Sequence, residues 1–179
     1  MTRSSDDSLR KALLMPLESA SHQLRNWIPT LRKVPDAQLR EPTGSKWGSV
    51  IGVLAHVVRT DQVFLDLLQN RPVDWQIKGL TDDLEECFVE QARVDAAWHA
   101  AVADEPDLGR PVRMWWGTRE SEFEVPLFQL VMIKIEHLIQ HRGNVDSAIK
   151  RLGIELMTNS VLELHLHRIA SPYVFAGGK

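Results

Sequence analysis

The stretch Leu130-Val131-Met132-Ile133-Lys134-Ile135-Glu136-His137-Leu138-Ile139-Gln140-His141-Arg142-Gly143 decides how the chain is read. It is an apolar run that sets two histidines four residues apart. On a helix, residues i and i+4 lie on one face, one turn above the other. Followed outward, that face carries Leu130, Ile133, His137, His141, Val145, Ala148 and Leu152. The histidines therefore point where the core-facing side chains point. Two buried imidazoles one turn apart can share a metal ion through ring nitrogens about 2.0–2.1 Å from it. They need a third ligand, which the rest of the chain has to supply.

Working outward, this helix has natural ends. Pro126 suits its first turn, and Gly153 stops it after Leu152. Before it, Val112, Met114 and Trp116 alternate, Gly117 offers a turn, and Phe123 and Val125 alternate again, which predicts a short hairpin. A third helix starts at Thr81, where Asp82, Asp83, Glu85 and Glu86 favour the positive end of its dipole. Its stripe is Leu84, Phe88, Gln91, Val94, Trp98 and Val102, and it ends at Glu105-Pro106. The second helix opens near Ser45 to Ser49, with either serine as cap, and runs to about Gln69 before Asn70-Arg71-Pro72. Ser49, Val53, His56, Thr60, Val63 and Leu67 form its stripe, so His56 lies on the buried side.

Nearer the start, residues 1–7 are polar and expected to fray. From Ser8, a candidate N-cap, apolar residues recur at helical spacing through Leu13, Leu17, Leu24, Trp27 and Leu31. Pro16 and Pro29 interrupt that pattern, because each removes an amide donor and clashes with the preceding turn. The expectation is a helix that begins near Pro16, or an earlier one kinked there, and is finished by Pro35. Pro35 to Gly44 reads as a loop. The tail from Ile154 is ambiguous: Leu162, Leu164 and Leu166 alternate like a strand, while Asn159 or Ser160 can cap a short fifth helix. Four long amphipathic segments with modest connections make an all-α fold, a four-helix bundle over residues 1–153. Residues 154–179 form a C-terminal extension packed on the same domain.

Composition narrows the function classes. The 179 residues are 44% hydrophobic and 25% charged, an ordinary globular balance. A net charge of −3 gives no bulk attraction to phosphate, so neither nucleic acid nor a membrane is an expected partner. One cysteine, Cys87, excludes an internal disulfide and fits a reducing compartment. No apolar run is long enough to span a bilayer or to serve as a secretory signal, which makes a cytoplasmic location the expectation. Cys87 lies on the apolar side of helix three and reads as a buried small hydrophobe rather than a nucleophile.

His56 sits mid-way along helix two, and His137 and His141 lie in the second half of helix four. If those helices are neighbours, three imidazoles converge inside the bundle and leave at least one coordination position open, as catalytic sites do. An all-nitrogen set suits zinc, nickel, copper or iron. The rival reading of His56 alone is a satisfied core histidine, and of the pair alone a solvated helical face. His165 and His167 can chelate as a strand pair but read as exposed, and His22 and His99 read as surface. Thr60, one turn beyond His56, can face the site. Gln129, Lys134, Glu136 and Asn144 are further polar candidates, with Gln129 and Glu136 off the histidine stripe. Trp115 and Trp116 either cover a pocket mouth or pack the loop on the bundle. Gly143 lets helices approach closely, at a propensity cost of about 1 kcal/mol.

The chain resembles the DinB-like group, which includes YfiT-type metal-dependent hydrolases and several thiol-dependent transferases. The resemblance rests on Trp47-Gly48-Ser49-Val50-Ile51 leading to Leu54-Ala55-His56, and on His137-Leu138-Ile139-Gln140-His141-Arg142-Gly143 followed by Leu152-Gly153, over roughly residues 10–153. It implies an up-down-down-up four-helix bundle, often a homodimer, with His56, His137 and His141 as a metal triad, commonly on zinc or nickel. It implies a small-molecule substrate and, in some members, a low-molecular-weight thiol such as bacillithiol or mycothiol as co-substrate. An ion in such a triad can bring the pKa of bound water towards about 7, giving a hydrolase, or hold a thiol as thiolate, giving an S-transferase. No protein nucleophile or catalytic side chain is identified for either. Thiol transfer is the leading expectation and metal-assisted hydrolysis the second. The competing class is a non-enzymatic stress-response protein that binds a metal or small ligand.

Overall fold

In the computed structural model, residues 3–73, 81–115 and 122–154 are described. The first helix, α1 (Arg3–Leu31), contains both Pro16 and Pro29. Of the two expected starts the earlier one is observed, with the helix running through Pro16, and the capping role of Ser8 is corrected, because Ser8 lies inside the helix. The reason is energetic. Two interior prolines cost about 3 kcal/mol each, while Leu13, Leu17, Leu24, Trp27 and Leu31 are all buried, at about 1.5–3 kcal/mol per side chain. The apolar face outweighs the lost hydrogen bonds.

The segment expected as loop holds a single turn, α2 (Asp36–Leu39), whose Leu39 is buried. Its formation corrects the loop reading. Pro35 presets the entry, and Arg40 Nε donates to Asp36 Oδ2 at 2.7 Å across the turn. Helix α3 (Val50–Leu68) begins at Ser49, whose Oγ accepts from the Gly52 amide at 3.1 Å. It is buried along most of its length because α4, α5 and the hairpin all pack against it. Helix α4 (Leu84–Asp104) starts three residues later than expected, since Asp83 rather than Thr81 supplies the cap by accepting from Glu86 N at 2.9 Å. Strands β1 (Pro111–Met114) and β2 (Phe123–Pro126) pair antiparallel, Val112 opposite Val125 and Met114 opposite Phe123. Val112 and Met114 turn inward as their alternation predicted. Trp116 and Gly117 lie outside the described residues.

Helix α5 (Leu127–Arg151) has no side-chain cap at Pro126. The loop and strand before it do that work, with Leu127 N donating to Arg110 O and Phe128 N to Leu108 O, both at 2.9 Å. Gly153, at φ 71°, ends it as expected. Around the bundle α1 packs on α4 and α5, and α3 packs on the same two, so α1 and α3 stand diagonally opposite. The histidine-bearing helices α3 and α5 are therefore neighbours. The fold is all-α with a small hairpin.

The interior is divided. One apolar cluster joins Leu13 and Leu17 to Phe64, Trp98, Leu130 and Ile135. A second joins Leu24 and Trp27 to Leu54, Phe88, Leu138 and Val145. Between them lies a layer of buried polar side chains: Ser19 and Ser21 from α1, Thr60 and Asp61 from α3, Gln91 and Asp95 from α4, and Lys134 from α5. The tail beyond Ile154, with His165 and His167, lies outside the described residues.

Candidate metal centre

Each histidine owes its position to its own helix. His56 faces inward from α3 on the Val53–Val63 stripe, and His137 and His141 face inward from α5 one turn apart. His56 and His141 are buried and His137 is half-buried. One ring nitrogen from each lies within 4.8 Å of the others. His56 Nε2 and His137 Nε2 are 3.3 Å apart. Two ligands about 2.0–2.1 Å from one tetrahedral ion stand about 3.3–3.4 Å from each other, so this spacing fits a shared metal. It equally fits an N–H···N hydrogen bond in the metal-free protein, with the proton on either ring. No carboxylate or thiol among the described residues joins the three.

The imidazoles are held in the neutral form that a metal requires. Burial, then the neighbouring His141 and Lys46, lowers His56 to about 4. Burial, then His141, His56 and Lys134, lowers His137 to about 3. His141 is lowered by burial and by Lys46. The outer ring nitrogens are treated unequally. Thr60 Oγ1 lies 3.4 Å from His56 Nδ1, as the one-turn spacing anticipated. Asn144 Nδ2 lies 3.2 Å from His141 Nδ1. With the amide turned over, the Asn144 oxygen accepts an Nδ1–H there and frees the opposite nitrogen for coordination. His137 Nδ1 is buried without a partner.

Trp47 is the residue whose role here the sequence reading missed, although it stood in the quoted motif. Its ring lies flat on His56, 3.5 Å between centroids and 12° between planes, and meets His141 edge-on at 6.3 Å. Phe64 meets His137 edge-on at 6.0 Å. Two glycines put Trp47 there. Gly48 takes φ 81°, which a side chain would strain. A Cβ on Gly52 would come 2.0 Å from the Trp47 carbonyl oxygen, so the indole's own backbone rests on the first turn of α3. The loop is pinned from outside as well: Thr43 N donates to Gly48 O at 2.7 Å, and Arg151 Nη1 donates to Thr43 O at 2.6 Å. A cavity of about 530 Å³ opens beside Trp47, bordered by Arg40, Ser49, Gly52 and Asp82, and reaches His56 alone of the triad.

The other candidates fall into place. Gln129 and Glu136 are exposed, off the histidine stripe as expected. Lys134 is fully buried, its Nζ 3.4 Å from Asp61 Oδ2 and 3.6 Å from Asp95 Oδ1. Gln91 Nε2 donates to both carboxylates, at 3.0 and 2.9 Å. Burial pushes the Asp61 carboxyl up to about 6 against the pull of Lys134. His99 is exposed as expected, whereas His22 is half-buried. Trp115 is half-buried and packs against the first apolar cluster. Cys87 is buried and its thiol pushed up to about 11 by burial, so it is no nucleophile. Gly143 corrects the close-approach reading: it is exposed, and a Cβ there would meet nothing within 4 Å.

A family model described as DinB family matches residues 7–167, running past Gly153 into the tail. No curated protein and no solved structure matches the chain.

Proposed function

We propose, because the chain belongs to the DinB family and gathers three histidines at one point, that it is a metal-dependent enzyme acting on small molecules, with His56, His137 and His141 as the ligands of a divalent ion. The observation that carries this reading is the convergence of three neutral imidazoles, two buried and one half-buried, with no fourth histidine, cysteine or carboxylate joining them among the described residues. A closed structural site uses four protein ligands, and a catalytic one keeps a position free. Zinc or nickel suits the all-nitrogen set.

Bound there, a divalent ion supplies Lewis-acid charge that favours the deprotonated form of a thiol or a water presented to it. The protein's own residues do the rest. Trp47 and Phe64 shield the rings from solvent, Thr60 and Asn144 orient two of them, and the cavity beside Trp47 admits a small molecule. Among the described residues no cysteine or carboxylate joins the triad, which supports a reaction whose nucleophile is itself a small molecule. S-transfer from a low-molecular-weight thiol is the reading we favour. Metal-assisted hydrolysis is the second, and a homodimer the expected assembly. A reducing compartment, where free thiols persist, suits this chemistry.

Elemental analysis of protein purified without a histidine tag, alongside His137→Ala, tests the site. Near-stoichiometric metal in the parent and its loss in the variant is the expected result. A parent that cannot be loaded with zinc or nickel overturns the reading. Turnover of chlorodinitrobenzene only on addition of a thiol selects transfer, and metal-dependent cleavage without thiol selects hydrolysis.

A further inference from the structure

The buried polar layer carries more negative charge than positive. Asp61 and Asp95 are two carboxylates, and Lys134 is the one ammonium that the described residues bring to them. Gln91 is neutral and donates to both. Asp61 is sealed inside the bundle, whereas Asp95, only 6% exposed, also borders a cavity. Asp95 Oδ1 accepts from the Gln91 amide and lies 3.6 Å from Lys134 Nζ. Asp95 Oδ2 is buried and has no partner among the described residues. A buried oxygen left in this way costs the full penalty of its desolvation, and native proteins leave few of them. The cavity measures about 370 Å³, lies between α1 and α4, and shares no residue with the histidine triad. Its floor is Leu17, Ser21 and Asp95, all buried. Its rim on α4 is Ala92, Ala96 and Ala100, exposed side chains too short to close it. Two further charges on the wall, Glu18 and Arg25, are opposite in sign, so Asp95 sets the balance.

We propose that this cavity binds a small primary alkylammonium ion, whose N–H donates to Asp95 Oδ2 and whose chain lies along the alanines. The site is independent of the metal centre. Ligand pockets begin at about 300 Å³, so a chain of a few carbons fits. A second ammonium matches the two carboxylates charge for charge, and charge-assisted hydrogen bonds are the strong ones. A guanidinium is matched less well, because its fork seeks two oxygens and Gln91 already holds Oδ1. A calcium ion takes about six or more oxygen ligands, whereas the floor offers the Asp95 carboxylate and the Ser21 hydroxyl.

The test is titration of isotope-labelled protein with n-butylammonium chloride and with n-butanol, its uncharged counterpart of equal length, at constant ionic strength. Amide NMR shifts of Ala92, Ala96 and Ala100 report the cavity. The parent, Asp95→Asn and Ala96→Leu are compared, and far-UV circular dichroism of all three is measured first. In the parent, butylammonium is expected to saturate these shifts in the millimolar range, a strength within reach of so small a ligand. Butanol is expected to bind at least about tenfold more weakly, for want of a charge-assisted bond. Asp95→Asn removes the charge and is expected to abolish that preference. Ala96→Leu keeps the carboxylate but fills the rim, and is expected to weaken butylammonium binding. If Asp95→Asn does not fold, the butanol comparison and Ala96→Leu decide alone. No saturable shift in the parent, the result if water alone occupies the cavity, overturns the proposal, as does equal binding of butanol. A preference that survives Asp95→Asn, or an affinity that Ala96→Leu leaves unchanged, overturns it too, because the ion then sits elsewhere.

Discussion

At the scale of the single residue, the site depends on contacts that a one-atom change alters. Gly52→Ala places a Cβ against the Trp47 carbonyl, so the loop must move and the indole leaves His56. We expect a loss of about 1–3 kcal/mol, the usual size of overpacking, with weaker metal binding and an altered tryptophan fluorescence spectrum. Urea titration and zinc competition check both; unchanged fluorescence would show that the loop yields without moving the ring. Asn144→Ala removes the partner of His141 Nδ1, and a fall in metal affinity of about tenfold is expected from the weight of such outer contacts. The histidines also set a pH dependence. Burial holds His56 at about 4 and His137 at about 3, below the ordinary 6.5. Between those values the unfolded chain binds protons that the folded chain does not, so stability falls as pH drops below about 6.5. Asp61, raised to about 6, works in the opposite sense between its ordinary 3.8 and that value. With His141 also lowered, the histidines outnumber it. The urea midpoint of metal-free protein should be lower at pH 5 than at pH 7.5, and a flat or inverted profile would contradict the assignment.

At the scale of the element, helix ends are closed by groups from elsewhere in the chain. Arg10 Nη1 donates to Ala103 O and Glu105 O at 3.1 and 2.9 Å, closing α4. Arg110 Nη2 reaches Leu68 O at 2.9 Å, closing α3. Such carbonyls are otherwise left to water. Helix α1 is the element most at odds with its own local preferences, since Pro29 is exposed and contributes no core contact. Pro29→Ala restores an amide donor within the helix and should raise stability, by up to about 3 kcal/mol, as an upward shift of the denaturation midpoint. A lowered midpoint would mean that the proline serves the following turn. Much of this level was legible beforehand: Ser49, Pro126 and Gly153 bound their helices at or next to the expected places. The turn α2 and the continuity of α1 were not, because each is held by burial of apolar side chains supplied by distant parts of the chain.

At the scale of the whole molecule, a polar layer separates two apolar clusters. Lys134 is its keystone, a fully buried ammonium between carboxylates from two other helices. Replacing Lys134 by Met leaves Asp61 and Asp95 without their counter-charge in the core, which should cost about 3–5 kcal/mol. Adding Asp61→Asn to Lys134→Met should recover part of that loss, since the amide needs no counter-ion. Calorimetric Tm values of the single and double variants decide this, and additive losses would show that the lysine is held by packing alone. Lys134 lies one turn before His137 on α5.

By itself, the sequence determined the helical stripes, their main boundaries, the hairpin alternation and the candidacy of His56, His137 and His141, because these follow from periodicity and short-range chemistry along one chain. Tertiary structure alone decided that α3 and α5 are neighbours and that the three rings converge. It alone placed Trp47 on His56 and buried Lys134 between two carboxylates. Each of these joins residues far apart in sequence through packing, and no spacing within a single helix encodes which distant side chain will fill the space opposite.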